Sequence, residues 1–275
     1  MRRDGREMTG WLRCAGASDS AMIDVGQQGG DAMQPTQAKQ STGSTKKATQ
    51  AINLAGQRVL LTQASDFMGP TLAEVFHECG ANVIAADGPI VDPEYPQQLI
   101  DVSGEIDVLL LNLGVPAPTS PAGEVSDDEW RSVFSAMVDP LPRFARAVLP
   151  QMLARGSGKI LLIGSASALR GMRRASSYSA ARGAQLTWVQ AVGTELASKQ
   201  IQVNAIAQNF VENPTYFPPE VQANPAFQER LKREVPLGRL VSAREDAMFC
   251  AYLASDHANC FVGQVFPVCG GWVGR

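Results

Sequence analysis

The feature that most constrains the fold is an alternation. Short runs of aliphatic and β-branched residues recur at 58–62, 82–86, 106–111, 158–164, 201–207 and 263–268. Stretches with helical spacing lie between them, at 69–79, 127–155, 175–199, 225–233 and 242–255. Arg58-Val-Leu-Leu-Thr62 shows no polar alternation, as expected of a strand buried on both faces. Strands that alternate with crossover helices predict an α/β fold, a doubly wound, Rossmann-like parallel sheet. Ligands in such sheets bind outside the carboxyl ends of the strands. Thr62, Asn112, Ser165 and Ala207 fall at predicted strand ends, so the loops that follow them share one crevice. Pro140 and Pro142 lie inside the 127–155 segment and predict a kinked helix. The 88–105 segment is short and leaves little room for a further strand and helix.

Residues 1–53 have no such periodicity. The stretches 27–30 and 34–50 are rich in Gln, Gly, Ser, Thr and Lys and short of aliphatics. Such composition cannot offset the entropy of ordering, so a low-complexity, disordered extension is expected there, followed by one domain over 54–275. A chain of 275 residues is long enough for one large core. A net charge of −3 without a basic stripe argues against a nucleic-acid partner. No run is long and apolar enough to span a membrane, and Met1-Arg-Arg3 is not followed by the apolar core of a secretory signal. The five cysteines (Cys14, Cys79, Cys250, Cys260, Cys269) show no CxxC or Cys/His ligand spacing, and His77 and His257 are isolated. These features predict free thiols in a reducing, cytoplasmic setting and no metal site.

The chemistry concentrates between 163 and 182. The run 158–163 delivers Ser165 at a strand end, and Tyr178 and Arg182 lie four apart on one face of the next helix. A cation beside a phenol favours the phenolate. The three therefore read as a general base (Tyr178), its electrostatic tuner (Arg182) and a hydroxyl that positions a substrate oxygen (Ser165).

Ser165, Tyr178, the Asn112-Leu-Gly114 turn, Gly238-Arg239 and the closing Gly263-Gln264…Gly270-Gly271 resemble the short-chain dehydrogenase/reductases over about 56–271. Two departures stand out. Where those reductases place Lys four after the Tyr, this chain has Arg182. Where their first turn carries three glycines, this chain reads Thr62-Gln-Ala-Ser-Asp-Phe-Met-Gly69, with Gln63 and Phe67 at two of the positions. Those glycines let backbone approach a pyrophosphate, so Gln63 and Phe67 predict an obstructed dinucleotide site. Asp87, which ends the second run where an NAD-type enzyme keeps its ribose acid, then reads as a turn residue. Met137 lies about where the reductases keep a catalytic Asn.

Thr62-x4-Phe67-x-Gly69 joined to Ser165-x12-Tyr178-x3-Arg182 resembles the halohydrin dehalogenases. Asn213–Pro218 and Val235–Leu240 strengthen the likeness. The resemblance implies an enzyme without cofactor that turns vicinal haloalcohols into epoxides, releases halide and a proton, and runs in reverse with small anionic nucleophiles. It implies a halide nest from Phe67 and the loop Gln208-Asn209-Phe210-Val211, with Phe210 and Val211 as N–H donors. Gln208 departs from the family, where Pro is common. Tyr216 and Phe217 are expected to wall the substrate pocket. Trp188 and Trp272 are expected in the core or an interface. A homotetramer formed through the 127–155 and 175–199 helices is also expected. Two alternatives remain open on the residues: an NAD(P)-dependent alcohol/ketone oxidoreductase with a degenerate fingerprint, and a non-catalytic ligand-binding protein on the same fold.

Overall fold

A computed structural model describes residues 52–274; the expected extension over 1–53 lies almost wholly outside the described residues. Six parallel strands form one sheet in the order β2-β1-β3-β4-β5-β6. They are β1 (Arg58–Thr62), β2 (Asn82–Ala86), β3 (Val108–Leu111), β4 (Gly158–Ser165), β5 (Ile201–Gln208) and β6 (Val265–Val268). All six predicted strands form, and the predicted α/β, Rossmann-like fold is the fold observed.

Successive residues of a strand point to opposite faces, and the core divides accordingly. Leu60, Leu109, Ile160 and Leu162 face a layer that includes Phe144, Val148, Leu186 and Val189. Val59, Leu61, Leu110, Leu161 and Ile163 face the other, with Leu72, Val75, Phe76, Cys250 and Leu253. The second layer belongs to α1 (Gly69–Glu78) and α9 (Ala243–Ala254), the first to α2 (Tyr95–Ser103), α4 (Pro140–Arg155) and α6 (Ser176–Leu196). The remaining helices are α3 (Asp127–Met137), α5 (Ser167–Arg170), α7 (Pro219–Gln222) and α8 (Pro225–Glu234).

Three expectations are corrected. The 127–155 stretch is two helices, not one kinked helix: α3 ends at Met137 and α4 begins at Pro140. Pro140 stands in the first turn of α4, where a missing N–H costs nothing. The proline inside α4 is Pro150. The 88–105 segment does hold a helix, α2, though no strand, so β2 is the sheet edge. Gly88 makes that compact connection possible: a Cβ there would fall 2.2 Å from the Tyr95 ring.

The register aligns the carboxyl ends that matter. Leu111 pairs with Leu162, and Ser165 pairs with Gln208. The Asn112 N–H donates to Thr62 Oγ1 at 3.0 Å, tying the ends of β1 and β3 together.

Candidate active site

The β4 end holds Ser165 almost fully buried. Its Oγ accepts from the Ser167 N–H at 3.2 Å and lies 2.9 Å from Ser167 Oγ. With Ser167 donating, the Ser165 proton is free for a substrate oxygen. Sequence reading missed Ser167; its signal is a second serine two residues on, where the chain turns into α5. Tyr178 sits in the first turn of α6 and Arg182 one turn later, both buried. The Arg182 guanidinium carbon is 5.0 Å from the centre of the Tyr178 ring. Ser165, Tyr178 and Arg182 line one cavity of about 280 Å³.

Arg182 is fixed by neutral acceptors. Its Nη1 donates to Leu113 O (3.0 Å), Ile163 O (3.0 Å) and Gln185 Oε1 (2.9 Å). Its Nε is buried with no partner. Among the described residues no carboxylate pairs with it. A buried cation without a counter-charge is costly, so this site favours an anion. Gln185 was missed in the sequence, although it lies three residues after Arg182 on the same helical face. Its Nε2 donates to Leu113 O at 3.1 Å and to Met137 O at 2.7 Å. The carbonyl freed where α3 stops thus braces the arginine, at the position where the reductases keep an Asn.

The β1–α1 turn is filled from within. Gln63 and Phe67 stand at φ 44° and 51°, left-handed values that favour glycine. The backbone shape of a glycine-rich turn persists, at a cost of roughly 1–3 kcal/mol for each strained residue. The side chains now occupy the space above it. The Gln63 amide pairs with the Gly114 backbone: Oε1 accepts from its N–H at 2.7 Å and Nε2 donates to its C=O at 3.1 Å. A Cβ on Gly114 would approach Arg182 Nη2 to 3.1 Å and the Phe67 ring to 3.3 Å, so only glycine lets both close in. Asp87 is engaged by Ser65, whose N–H and hydroxyl donate to its two oxygens at 2.8 and 2.7 Å. Of the first N–H groups of α1, that of Gly69 is bonded to Asp66 O and Pro70 has none. Gln63, Phe67, Pro70 and the engaged Asp87 do not fit a dinucleotide pyrophosphate and ribose.

The loop after β5 supplies the remaining wall. Phe210 is buried at φ 51°, and its N–H donates to Asn209 Oδ1 at 2.9 Å. Of the two expected backbone donors, that of Phe210 is therefore engaged. Val241 N–H donates to Phe210 O and Glu212 N–H to Val241 O. In this isolated parallel bridge the bonds to Val241 come from Phe210 O and the Glu212 N–H, so the intervening Val211 N–H points away from Val241. Tyr216 donates its hydroxyl to Val115 O at 2.8 Å, and its ring centre is 5.9 Å from that of Phe67. Burial and the neighbouring Tyr178 push the Tyr216 phenol above the ordinary tyrosine range, so it stays protonated. Phe217 stacks on Phe210 at 6.0 Å. Gln208 borders the cavity too, and its Nε2 donates to Asp246 Oδ2 at 2.5 Å. All ten predicted site residues border this one space; Trp272 and Arg230, not predicted, border it as well.

Residues 38–273 match the profile of a family described as enoyl-(acyl carrier protein) reductase. The chain belongs to the short-chain dehydrogenase/reductase family. Within it, the chain is 28% identical over 245 residues to a 3-oxoacyl-[acyl-carrier-protein] reductase of Vibrio harveyi, covering 80% of this chain and 98% of that protein. Among solved structures it is similar to one described as a dehalogenation enzyme, with a TM-score of 0.75 and 31% identity over 80% of this chain and 99% of that one. It is also similar to a halohydrin dehalogenase bound to ethyl (2S)-oxiran-2-ylacetate, with a TM-score of 0.73 and 26% identity over 78% of this chain and 96% of that one. The family membership accounts for the serine–tyrosine pair and the sheet. It leaves open what chemistry a member with this first turn performs.

Proposed function

We propose that this protein is a halohydrin dehalogenase, converting vicinal haloalcohols to epoxides without a nucleotide cofactor. One observation carries the reading. The space above the β1–α1 turn is filled by Gln63 and Phe67, while Ser165, Tyr178 and Arg182, which has no carboxylate partner among the described residues, remain around a cavity of about 280 Å³. That cavity suits a small molecule and an anion. The likeness to solved dehalogenases supports the same reading.

In this mechanism Ser165 donates to the substrate hydroxyl oxygen and fixes it. Tyr178, beside Arg182, removes the hydroxyl proton. The oxygen forms a bond to the neighbouring carbon from the side opposite the halogen, and the carbon–halogen bond breaks with its electron pair leaving on the halide. The halide settles among Phe67, Gln208, Asn209, Phe210 and Val211, with the Val211 N–H as donor. Tyr178 returns its proton to solvent. In reverse, a small anion opens the epoxide from that nest, and Tyr216 and Phe217 hold the carbon skeleton. The reading extends to a cytoplasmic homotetramer; on α3, Trp130 is 43% exposed and stacked on Phe134, an apolar patch a partner would cover.

Curated relatives named as reductases favour hydride transfer instead. Halide and proton release from a simple vicinal haloalcohol, with no nucleotide added, decides between them. Release at a steady rate supports dehalogenation. No release, together with tight NADPH or NADH binding, overturns it.

A further inference from the structure

Asp246 lies beneath the cavity, fully buried on the first turns of α9. Oδ2 accepts from Gln208 Nε2 at 2.5 Å, and Oδ1 is buried with no partner at all. Gln208 ends β5 opposite Ser165, borders the cavity, and makes no other side-chain hydrogen bond among the described residues. Its Oε1 therefore accepts no hydrogen bond among the described residues, in a residue that borders the cavity. The two ends of an amide have nearly one shape and opposite hydrogen-bonding character, so half a turn exchanges acceptor for donor.

We propose that Asp246 is a positioning residue that sets, through Gln208, whether the pocket meets a bound anion with an amide oxygen or with an amide N–H. The inference rests on the halide reading of this pocket. With Asp246 ionised, the carboxylate draws the amide N–H toward itself and leaves Oε1 to face the anion, which it repels. With Asp246 protonated, its O–H donates to Oε1, and the N–H groups turn to the cavity. Anion binding then takes up a proton, and by reciprocity a rise in pH expels the anion.

The surroundings allow this titration near neutrality. Burial, opposed only by the Gln208 hydrogen bond, pushes the Asp246 carboxyl up to about 7. Few other groups face it. Cys250, one turn along α9, has its thiol pushed up by burial and by Asp246 itself. On α1, Glu78 is engaged with Arg244 of α9 at the surface, and Glu245 pairs with Arg239. On β4, Lys159 is held by Ser255 O and Asn259 Oδ1 at the opposite end of the strand. Across the cavity, Arg182 is committed to the backbone of Leu113 and Ile163.

Bromide titrations of the full chain test the idea, followed through the fluorescence of Trp272 at the cavity wall, at constant ionic strength set with a bulky organic anion. Between pH 8 and pH 6, wild-type affinity should rise about tenfold, the ratio of protonated fractions two pH units apart around 7. Asp246→Asn keeps a donor toward Gln208 and carries no charge; it should bind bromide at pH 8 as the wild type does at pH 6. Gln208→Leu, a change at the cavity wall, should bind equally weakly at both pH values. A wild-type affinity that does not change with pH, or a pH dependence that survives in both variants, overturns the inference and leaves the dehalogenase reading standing. Failure of the wild type to bind bromide at any pH overturns both.

Discussion

Two stretches at the carboxyl edge of the sheet stand in opposite relation to the reductase pattern. The β4–α6 stretch matches that pattern at its hydroxyl and phenol, Ser165 and Tyr178, and departs from it only at the basic residue, Arg182. The β1–α1 turn has left-handed φ at Gln63 and Phe67, and carries side chains where the reductase pattern has glycine. The same backbone shape can thus carry side chains in the space that glycine leaves open. The strain at Gln63 and Phe67 is held by tertiary bonds, the Gln63–Gly114 amide pairing and the Asn112 amide donating to Gln63 O and Asp66 O at 2.9 and 3.0 Å.

The contrast is broken most severely at Tyr178. Tyr178→Phe should lower turnover of a haloalcohol by about 10²–10⁴-fold, the worth of a positioned general base, while the circular dichroism stays native. Near-wild-type halide release would mean that the retained stretch is not the chemical one. Arg182→Lys comes next. An ammonium cannot reproduce a fork that reaches Leu113, Ile163 and Gln185 together. With charged hydrogen bonds worth about 1.5–3 kcal/mol, kcat should fall by roughly 10- to 100-fold. A variant as fast as wild type would show that a point charge suffices, as in the reductases.

Phe67→Ala sharpens the other half. Loss of the ring should weaken bromide inhibition several-fold without creating NADH binding, because Gln63 and Pro70 still block the cradle. Isothermal titration with NADH checks this, and micromolar binding would show that the ring alone held the dinucleotide out. A smaller effect concerns stability. An unfolded aspartate titrates near 3.8, and buried Asp246 near 7. Between those values the folded state holds a proton that the unfolded state has lost, so stability falls as pH rises from 4 to 7 and levels off above. Melting temperatures across that range should decline less in Asp246→Asn than in wild type; equal slopes would deny that Asp246 is buried as described. The least effect is expected on removing residues 1–50, whose composition builds no core: activity and melting temperature should not change.

Much of this was readable from the residues in order. Strand runs, helix spacing and the Ser165–Tyr178–Arg182 pattern are local periodicities, and local periodicity determined the sheet and placed its loops in one crevice. Gln63 and Phe67 announced an obstructed turn because they stand where glycine is required. The sequence did not show that the 127–155 stretch is two helices, since a proline that kinks a helix and one that starts a new helix read alike. Nor did it show α2, for which the short 88–105 segment left little room and which begins with Pro96 in its first turn. The bracing of Arg182 by Gln185 and a Met137 carbonyl, the closure of Gln63 on Gly114, and the seating of Asp246 under Gln208 were decided by tertiary structure alone. Each joins residues 38 to 51 positions apart, except the Arg182–Gln185 contact within one helix. Hydrogen bonds and burial depend on which strands become neighbours, and that order is set by packing the whole sheet, not by any window of the chain.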